Sequence, residues 1–242
     1  MSSTGKKVAL VTGANKGIGF EVARQLGAAG CAVLLGARSQ PLGKEAAAKL
    51  IAEGLDVRFV PLDVTDVATV TAAAQKIGGD FGRLDILVNN AGINDAEDGA
   101  APTATLEAVE RVWRTNFLGA LAVTQAMLPL LRKSAGGRVV NVSSGLGSLT
   151  RTASPNPSST NLIGYSASKA ALNMLTVQLA RLLRDTAIKV NSAAPGYTAT
   201  ALNDFRGIQT IPEGAAEAVR LALLPDDGPT GTFSESAGVV PW

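Results

Sequence analysis

Short runs of consecutive apolar residues recur along the chain and alternate with longer segments that carry apolar residues at helical spacing. Strands that are apolar at every position suit a parallel sheet with helices on both faces. The alternation therefore predicts an α/β fold with a doubly wound parallel β-sheet, and 242 residues fit one domain. The predicted strands are 8–11, 32–35, 57–60, 86–88, 139–142 and 188–190. The predicted helices are 18–28, 42–53, 67–78, 106–132, 165–184 and 212–223.

One segment, residues 145–164, reads as a loop because Ser, Thr, Asn, Gly and Pro predominate in it. It follows the fifth predicted strand and ends where the next predicted helix begins, near Tyr165.

The absence of histidine and the presence of a single cysteine restrict the chemistry that this chain can perform. Most zinc sites and every mechanism with a histidine base are excluded, so we expect no metal site. A catalytic acid or base must then be Tyr, Lys, Asp or Glu. One cysteine forms no disulfide within the chain, and Cys31 begins an apolar strand, where a small buried hydrophobe is expected.

The charge balance gives no indication of a polyanionic partner. The chain has 22 basic and 20 acidic residues, without the clustered positive field that nucleic acid or anionic lipid requires. No apolar run approaches the roughly 20 residues that span a bilayer, and the first apolar stretch is too short for a secretory signal. These observations predict a cytoplasmic protein without nucleic-acid or membrane partners.

Three glycines follow the first predicted strand, at positions 13, 17 and 19, and lead directly into the first predicted helix. Glycine lets the backbone turn tightly and approach a ligand, while the free N–H groups of the helix attract phosphate. Their spacing is GxxxGxG and not the commoner GxGxxG. The turn therefore predicts a site for the pyrophosphate of a dinucleotide.

The residues after the second strand indicate which dinucleotide. NAD-binding folds of this type place an acidic residue there, on the ribose 2′-hydroxyl. This chain has Arg38 instead, whose planar guanidinium suits a 2′-phosphate, and Lys16 offers a second positive charge. Two cations and no carboxylate favour NADPH/NADP+ as the cofactor.

Tyr165 and Lys169 are four residues apart in a predicted helix, which places both side chains on one face. A free tyrosine has a pKa of about 10, and a neighbouring ammonium favours the phenolate and lowers that pKa. The pair is therefore a candidate acid and base for proton transfer.

Taken in order, these motifs resemble the short-chain dehydrogenase/reductase (SDR) family over nearly the whole chain. The matching stretches are the TGxxxGxG turn that begins at Thr12, the NNAG that begins at Asn89, the YxxxK that begins at Tyr165 and the PGxxxT that begins at Pro195. The resemblance implies a single Rossmann-type domain, with a dinucleotide-binding half at about 1–145, a substrate loop at about 145–164, and a catalytic helix with a C-terminal substrate region at about 165–242.

The resemblance also assigns roles to individual residues. Tyr165 exchanges a proton with the substrate oxygen, Lys169 tunes it and binds the nicotinamide ribose, Ser144 holds the substrate oxygen, and Asn116 organises a helix kink and a water that leads to Lys169. Asp63 and Val64 are assigned to the adenine pocket. The full set expected to bind the cofactor is Gly13, Asn15, Lys16, Gly17, Ile18, Gly19, Arg38, Asp63, Val64, Asn90, Ala91, Gly92, Tyr165, Lys169, Pro195, Gly196, Thr198 and Thr200.

The chain departs from the family pattern between the serine and the tyrosine. They are separated by 21 residues, where many members have about a dozen. This insertion and the C-terminal stretch 228–233 look like the monomer-forming carbonyl reductase branch, although the insertion of that branch is usually much longer. Monomer and homodimer both remain open. Residues 145–164 either border the substrate pocket and influence substrate choice, or form a solvated connector.

The sequence thus predicts an NADPH-dependent oxidoreductase that reduces a ketone, aldehyde or quinone to an alcohol by hydride transfer. Two alternatives remain. One is an alcohol dehydrogenase that works in the oxidative direction at the same site, and the other is a non-catalytic NADP(H)-sensing regulatory protein on the same fold.

Overall fold

The computed structural model describes residues 5–155 and 160–242. Within these residues, eight strands form one sheet in the order β3-β2-β1-β4-β5-β6-β7-β8. The first seven strands are parallel and β8 pairs antiparallel with β7. The strands are β1 Val8–Thr12, β2 Ala32–Ala37, β3 Val57–Pro61, β4 Ile86–Asn89, β5 Arg138–Val142, β6 Lys189–Ala193, β7 Phe233–Glu235 and β8 Gly238–Val239. The predicted doubly wound α/β fold is confirmed.

Helices cover both faces of the sheet and bury one apolar layer on each side. One layer is formed with α1, α2 and α8, and the other with α3, α5 and α7. Cys31 is buried in the first layer, 3% exposed, as a small hydrophobe. The helices are α1 Gly17–Ala28, α2 Gln40–Ala52, α3 Val67–Phe81, α4 Leu106–Trp113, α5 Ala120–Leu131, α6 Leu149–Thr152, α7 Ile163–Leu182 and α8 Ile211–Ala222.

The predicted helix 106–132 is helical throughout but is not a uniform α-helix. A π-helical segment, Arg114–Gly119, separates α4 from α5. Two tertiary contacts accompany it: the Asn116 side chain hydrogen-bonds the backbone of Ile93, and Gly119 packs against Val64. Hydrophobic periodicity alone does not register such contacts, so the sequence pattern predicted one unbroken helix.

The expectation that residues 145–164 form a loop throughout is wrong for its first part. A 3₁₀ turn at Gly145–Gly147 and the short helix α6 follow β5. Ser148 caps α6 by accepting a hydrogen bond from Arg151 N at 3.1 Å, and Arg151 pairs with Glu235 of β7 at 2.8 Å. Long-range contacts therefore order a polar segment. Residues 156–159 of the predicted loop lie outside the described residues.

Strands β7 and β8 were absent from the prediction. They have three and two residues, too few for a periodic pattern to appear. Phe233 nevertheless fixes their place, because it is 1% exposed and stacks on Trp242 with 5.5 Å between the ring centres.

Candidate active site

A cleft of about 450 Å³ runs along the edge of the sheet where the parallel strands end. Residues that follow each of β1 to β6 contribute to its wall. Strand order reverses between β1 and β4, and open α/β sheets bind ligands beyond the strand ends at such a switch point. The sequence-predicted residues that line the cleft are Gly13, Asn15, Lys16, Gly17, Ile18, Gly19, Arg38, Asp63, Val64, Asn90, Ala91, Gly92, Tyr165, Lys169, Pro195 and Thr200.

The glycine-rich turn between β1 and α1 packs against the segment that follows β4. Asn90 Nδ2 donates to Thr12 O at 2.9 Å, and Thr12 Oγ1 accepts the amide hydrogens of Asn90 and Ala91 at 3.0 Å each. Gly13 has a φ of +63°, and a Cβ atom there would lie 2.8 Å from Ala91 Cα. Both the backbone angle and the close approach require glycine at this position.

Helix α1 begins beside this turn without a side-chain cap and without an acidic residue in its first turn. The first N–H groups of a helix have no intrahelical acceptor, and they carry the positive end of the helix dipole. Such a terminus is suited to a phosphate group. The donors available at α1 therefore fit the pyrophosphate of a dinucleotide.

Two cations stand beside the turn. Lys16 and Arg38 both line the cleft and are exposed. Within residues 5–155 and 160–242 neither side chain has an ion-pair partner. An unpaired guanidinium and an unpaired ammonium next to a phosphate turn are arranged to bind a further phosphate.

Asp63 and Val64 follow β3 at one end of the cleft. Asp63 Oδ1 accepts hydrogen bonds from Thr65 N at 2.9 Å and from Thr65 Oγ1 at 2.8 Å, which fixes the carboxylate. Val64 is 7% exposed and packs against Gly119, where a Cβ atom would come within 2.7 Å of Val64 Cγ2. The π-helical segment thus holds this end of the cleft in place.

Tyr165 and Lys169 lie one turn apart on α7 and meet the end of β5. Lys169 Nζ lies 5.5 Å from the centre of the Tyr165 ring and donates to Val142 O at 2.8 Å. Tyr165 hydrogen-bonds the Ser144 side chain. Tyr165 and Lys169 line the cleft, and so does Ser143, whereas the neighbouring Ser144 is half-buried and is not part of the lining.

Asn116 also lies behind the wall of the cleft and is 1% exposed. Its Oδ1 accepts from Ile93 N at 2.8 Å, while its Nδ2 donates to Ile93 O at 3.0 Å and to Ser168 Oγ at 3.1 Å. Ser168 Oγ in turn donates to Tyr165 O at 2.7 Å. One buried side chain therefore joins the π-helical segment, the segment after β4 and helix α7.

Burial governs the ionisation of the central pair. It raises the pKa of Tyr165 to about 12, although the hydrogen bond from Ser144 acts in the opposite direction. Burial also lowers the pKa of Lys169 to about 8. The expectation that the ammonium lowers the tyrosine pKa is therefore not met within the chain itself, where desolvation is the larger effect. At neutral pH the phenol is protonated and can donate.

Two residues of the PGxxxT segment, Gly196 and Thr198, make contacts that shape the segment and do not line the cleft. Thr198 is 4% exposed and its Oγ1 donates to Pro195 O at 3.0 Å. Gly196 has a φ of +74° and packs against the Gln209 side chain. Pro195 and Thr200 do reach the cleft.

Sequence reasoning missed the apolar wall that follows this segment. Leu202, Phe205 and Ile211 line the cleft, although Phe205 is 66% exposed and belongs to no regular element. Asp204 and Phe205 have φ values of 52° and 58°, an unusual region for residues with a side chain. No periodic signal in the sequence marks such a turn, so these residues could not be selected from it.

The described residues contain no group of three or more His, Cys, Asp or Glu side chains placed to hold a metal ion. None of their helices combines the length and the apolar character that crossing a membrane requires.

Comparison with known proteins places this geometry in context. Residues 7–209 match the family model described as short chain dehydrogenase. The chain is 34% identical to a (+)-neomenthol dehydrogenase from Arabidopsis thaliana, with 96% of this chain and 97% of that protein covered.

Two solved structures are similar to the chain in both fold and sequence. Salutaridine reductase from Papaver somniferum is 35% identical with a TM-score of 0.83, over 94% of this chain and 99% of that chain. The NADPH-bound carbonyl reductase from chicken fatty liver is 30% identical with a TM-score of 0.85, over 98% and 99% respectively.

Proposed function

The chain belongs to the short chain dehydrogenase family, and from this premise we propose that it is an NADPH-dependent oxidoreductase that reduces a carbonyl group to an alcohol. Its relatives are named as oxidoreductases. The observation that carries the proposal is the tyrosine and lysine pair on α7, with Lys169 buried and Tyr165 half-buried at the cleft. Tyr165 is hydrogen-bonded to Ser144, and Lys169 Nζ lies 5.5 Å from its ring, at the wall of a cleft with free phosphate-binding groups.

The residues around the cleft fit a dinucleotide with a third phosphate. The N-terminus of α1 and the glycine turn would hold the pyrophosphate, Arg38 and Lys16 the 2′-phosphate, and Asp63 with Val64 the adenine. Asn90, Ala91, Gly92, Pro195 and Thr200 supply further walls, with Gly196 and Thr198 shaping the last segment. NADPH, when bound, supplies the hydride.

In this mechanism the chain binds, orients and moves one proton. Ser144 holds the substrate oxygen, and Tyr165 donates its phenolic proton to that oxygen in reduction or accepts it in oxidation. Lys169, anchored on Val142 O, fixes the tyrosine from the other side, and Asn116 fixes the backbone of α7 through Ser168.

The walls of the cleft favour an apolar substrate. Leu202, Phe205 and Ile211 line the same cleft as Tyr165, and apolar surfaces that leave water on binding stabilise an apolar ligand. We therefore place medium-sized apolar ketones, aldehydes and quinones first among the candidate substrates.

The oxidative direction is a second candidate, because the same residues carry out the reverse proton transfer once the phenol of Tyr165 has lost its proton, and metabolite ratios decide the flux. A sensing protein without catalysis is the weaker candidate. Nothing in the site favours it, since the tyrosine and the lysine are both present and adjacent.

The test is NADPH consumption by the purified protein with a panel of apolar carbonyl compounds, together with calorimetric titrations of NADPH and NADH. Turnover with preferential NADPH binding supports the proposal. Tight NADPH binding without turnover across the panel, and without reduction of NADP+ by the matching alcohols, points to the sensing protein.

A further inference from the structure

Helix α7 carries the catalytic pair but has no local cap. Its N-cap residue, Leu162, makes no side-chain cap hydrogen bond, and its first turn contains no acidic residue. The first N–H groups of a helix need acceptors from elsewhere, because a buried unpaired amide is costly. Tyr165 lies in that first turn, so the groups that accept these N–H hydrogens also determine where the backbone of Tyr165 is held.

A distant carboxylate supplies them. Asp98 Oδ1 accepts from Gly164 N at 2.9 Å, and Asp98 Oδ2 accepts from Tyr165 N at 2.8 Å. Gly99 O accepts from Ile163 N at 2.9 Å, and Ser166 N returns to Leu162 O. The three N–H groups of the first turn that lack an intrahelical acceptor are thus paired, two of them by a single side chain that lies 67 residues before Tyr165 in sequence.

The contact is buried and closely fitted. Asp98 is 7% exposed. A Cβ atom at Gly164 would lie 3.1 Å from Asp98 Oδ2 and 3.1 Å from Val109 Cα of α4. A side chain at residue 164 would therefore crowd both the carboxylate and the backbone of α4. A negative charge there also complements the positive end of the α7 dipole.

The segment that carries Asp98 is itself fixed to α4. Arg111 donates to both oxygens of Asp95, at 2.7 and 3.1 Å, and to Glu97 at 2.8 Å. The same segment continues from Ile93 and Asn94, which line the cleft. A rigid support thus runs from α4 through this segment to the backbone of Tyr165.

We propose that Asp98 is a positioning residue for the reaction, and that its carboxylate fixes the first turn of α7 so that Tyr165 keeps its hydrogen bond to Ser144. The inference rests on the proposed function of that site. It concerns the backbone of Tyr165 and not the phosphate-binding groups of the cleft.

The test compares Asp98→Asn, Asp98→Ser and Ile77→Val with the wild type. Asparagine keeps the shape but can accept only one of the two N–H groups, and serine can accept at most one. Ile77 is 1% exposed in α3, away from the catalytic pair, so its valine variant controls for a general loss of stability. We measure kcat and KM for a carbonyl substrate, the Kd for NADPH, and hydrogen exchange at the amides of Gly164 and Tyr165.

The expected result is a kcat about tenfold lower in Asp98→Asn, because a small misplacement of a catalytic group is costly. Asp98→Ser should be slower still, the NADPH Kd should be unchanged in both, and exchange should be faster at the two amides. Ile77→Val should keep the wild-type kcat.

A wild-type kcat in both Asp98 variants, or a loss of kcat in Ile77→Val as large as theirs, overturns the inference while leaving the proposed function intact. If the wild type turns over no substrate, the proposed function has failed, and hydrogen exchange alone then decides whether Asp98 fixes the turn.

Discussion

Lys169 Nζ lies 5.5 Å from the centre of the Tyr165 ring while it donates a hydrogen bond of 2.8 Å to Val142 O. The described residues offer this buried ammonium no carboxylate partner. A buried charge without a countercharge is poorly compensated, so burial lowers the pKa of Lys169, and desolvation of the phenol separately raises the pKa of Tyr165. The buried charge of Lys169 therefore lowers the stability of the folded chain.

Removal of that charge should stabilise the fold. Burial lowers the pKa of Lys169 from 10.5 to about 8, which corresponds to about 3 kcal/mol at 1.36 kcal/mol per pKa unit. Lys169→Met loses the hydrogen bond to Val142 O, worth about 1 kcal/mol, so we expect a net gain of about 1–2 kcal/mol at pH 7 and a lower activity. Thermal unfolding measures the gain.

The gain should depend on pH with a defined sign. The unfolded chain binds more protons than the folded chain between the two pKa values, so wild-type stability rises with pH there. The advantage of Lys169→Met should be full below pH 8, fall as the pH rises, and turn into a small loss near pH 10.5, where only the lost hydrogen bond remains. Lys44→Met, which changes an exposed lysine of α2, is the control and should show no such trend. An advantage that is constant with pH contradicts this account.

Tyr165→Phe should abolish proton donation without disturbing the cleft. Turnover should fall by roughly 10²–10⁴-fold, while the NADPH Kd stays near the wild-type value. Tyr197→Phe provides a matched control, since it removes the hydroxyl of the other tyrosine, which is 53% exposed. Steady-state rates and calorimetric titrations separate the two effects. Retained turnover in Tyr165→Phe would exclude it as the acid.

Arg38→Ala should change cofactor choice. Loss of a charge-assisted hydrogen bond to a phosphate costs about 1.5–3 kcal/mol, so the NADPH Kd should rise about 10- to 100-fold. The NADH Kd should be unchanged, because NADH has no 2′-phosphate. Arg181→Ala, at an exposed position in the last turn of α7, removes the same charge without affecting either Kd. Equal losses for both cofactors would contradict a contact with the 2′-phosphate.

Phe205→Gly should weaken substrate binding by removing part of the apolar wall. Loss of a phenyl contact should raise KM for an apolar ketone about tenfold. Asp204→Gly tests whether this effect comes from the backbone, because both residues have positive φ and glycine relieves that strain equally. Kinetics with one apolar and one small polar carbonyl compound check the effect. If both variants raise KM alike, the backbone and not the phenyl ring shapes the site.

The sequence by itself was sufficient for the parts of this protein that depend on neighbours in the chain. Apolar runs and helical spacing identified six of the strands and the main helices, because burial on both faces of a sheet imposes such patterns. Gly13 and Gly17 marked the glycine-rich turn between β1 and α1, since both have a positive φ and such a backbone angle favours glycine. Four-residue spacing placed Tyr165 and Lys169 on one helix face.

Only the tertiary structure decided features that rest on contacts between distant segments. The π-helical segment at Arg114–Gly119 accompanies the bonds of Asn116 to Ile93, and the order of α6 depends on Glu235. The cap of α7 comes from Asp98, in a segment with no regular structure. Even the direction of the Tyr165 pKa shift follows from how deeply the folded chain buries it. Hydrogen bonds and desolvation act through space, and no periodicity along the chain records which distant groups they join.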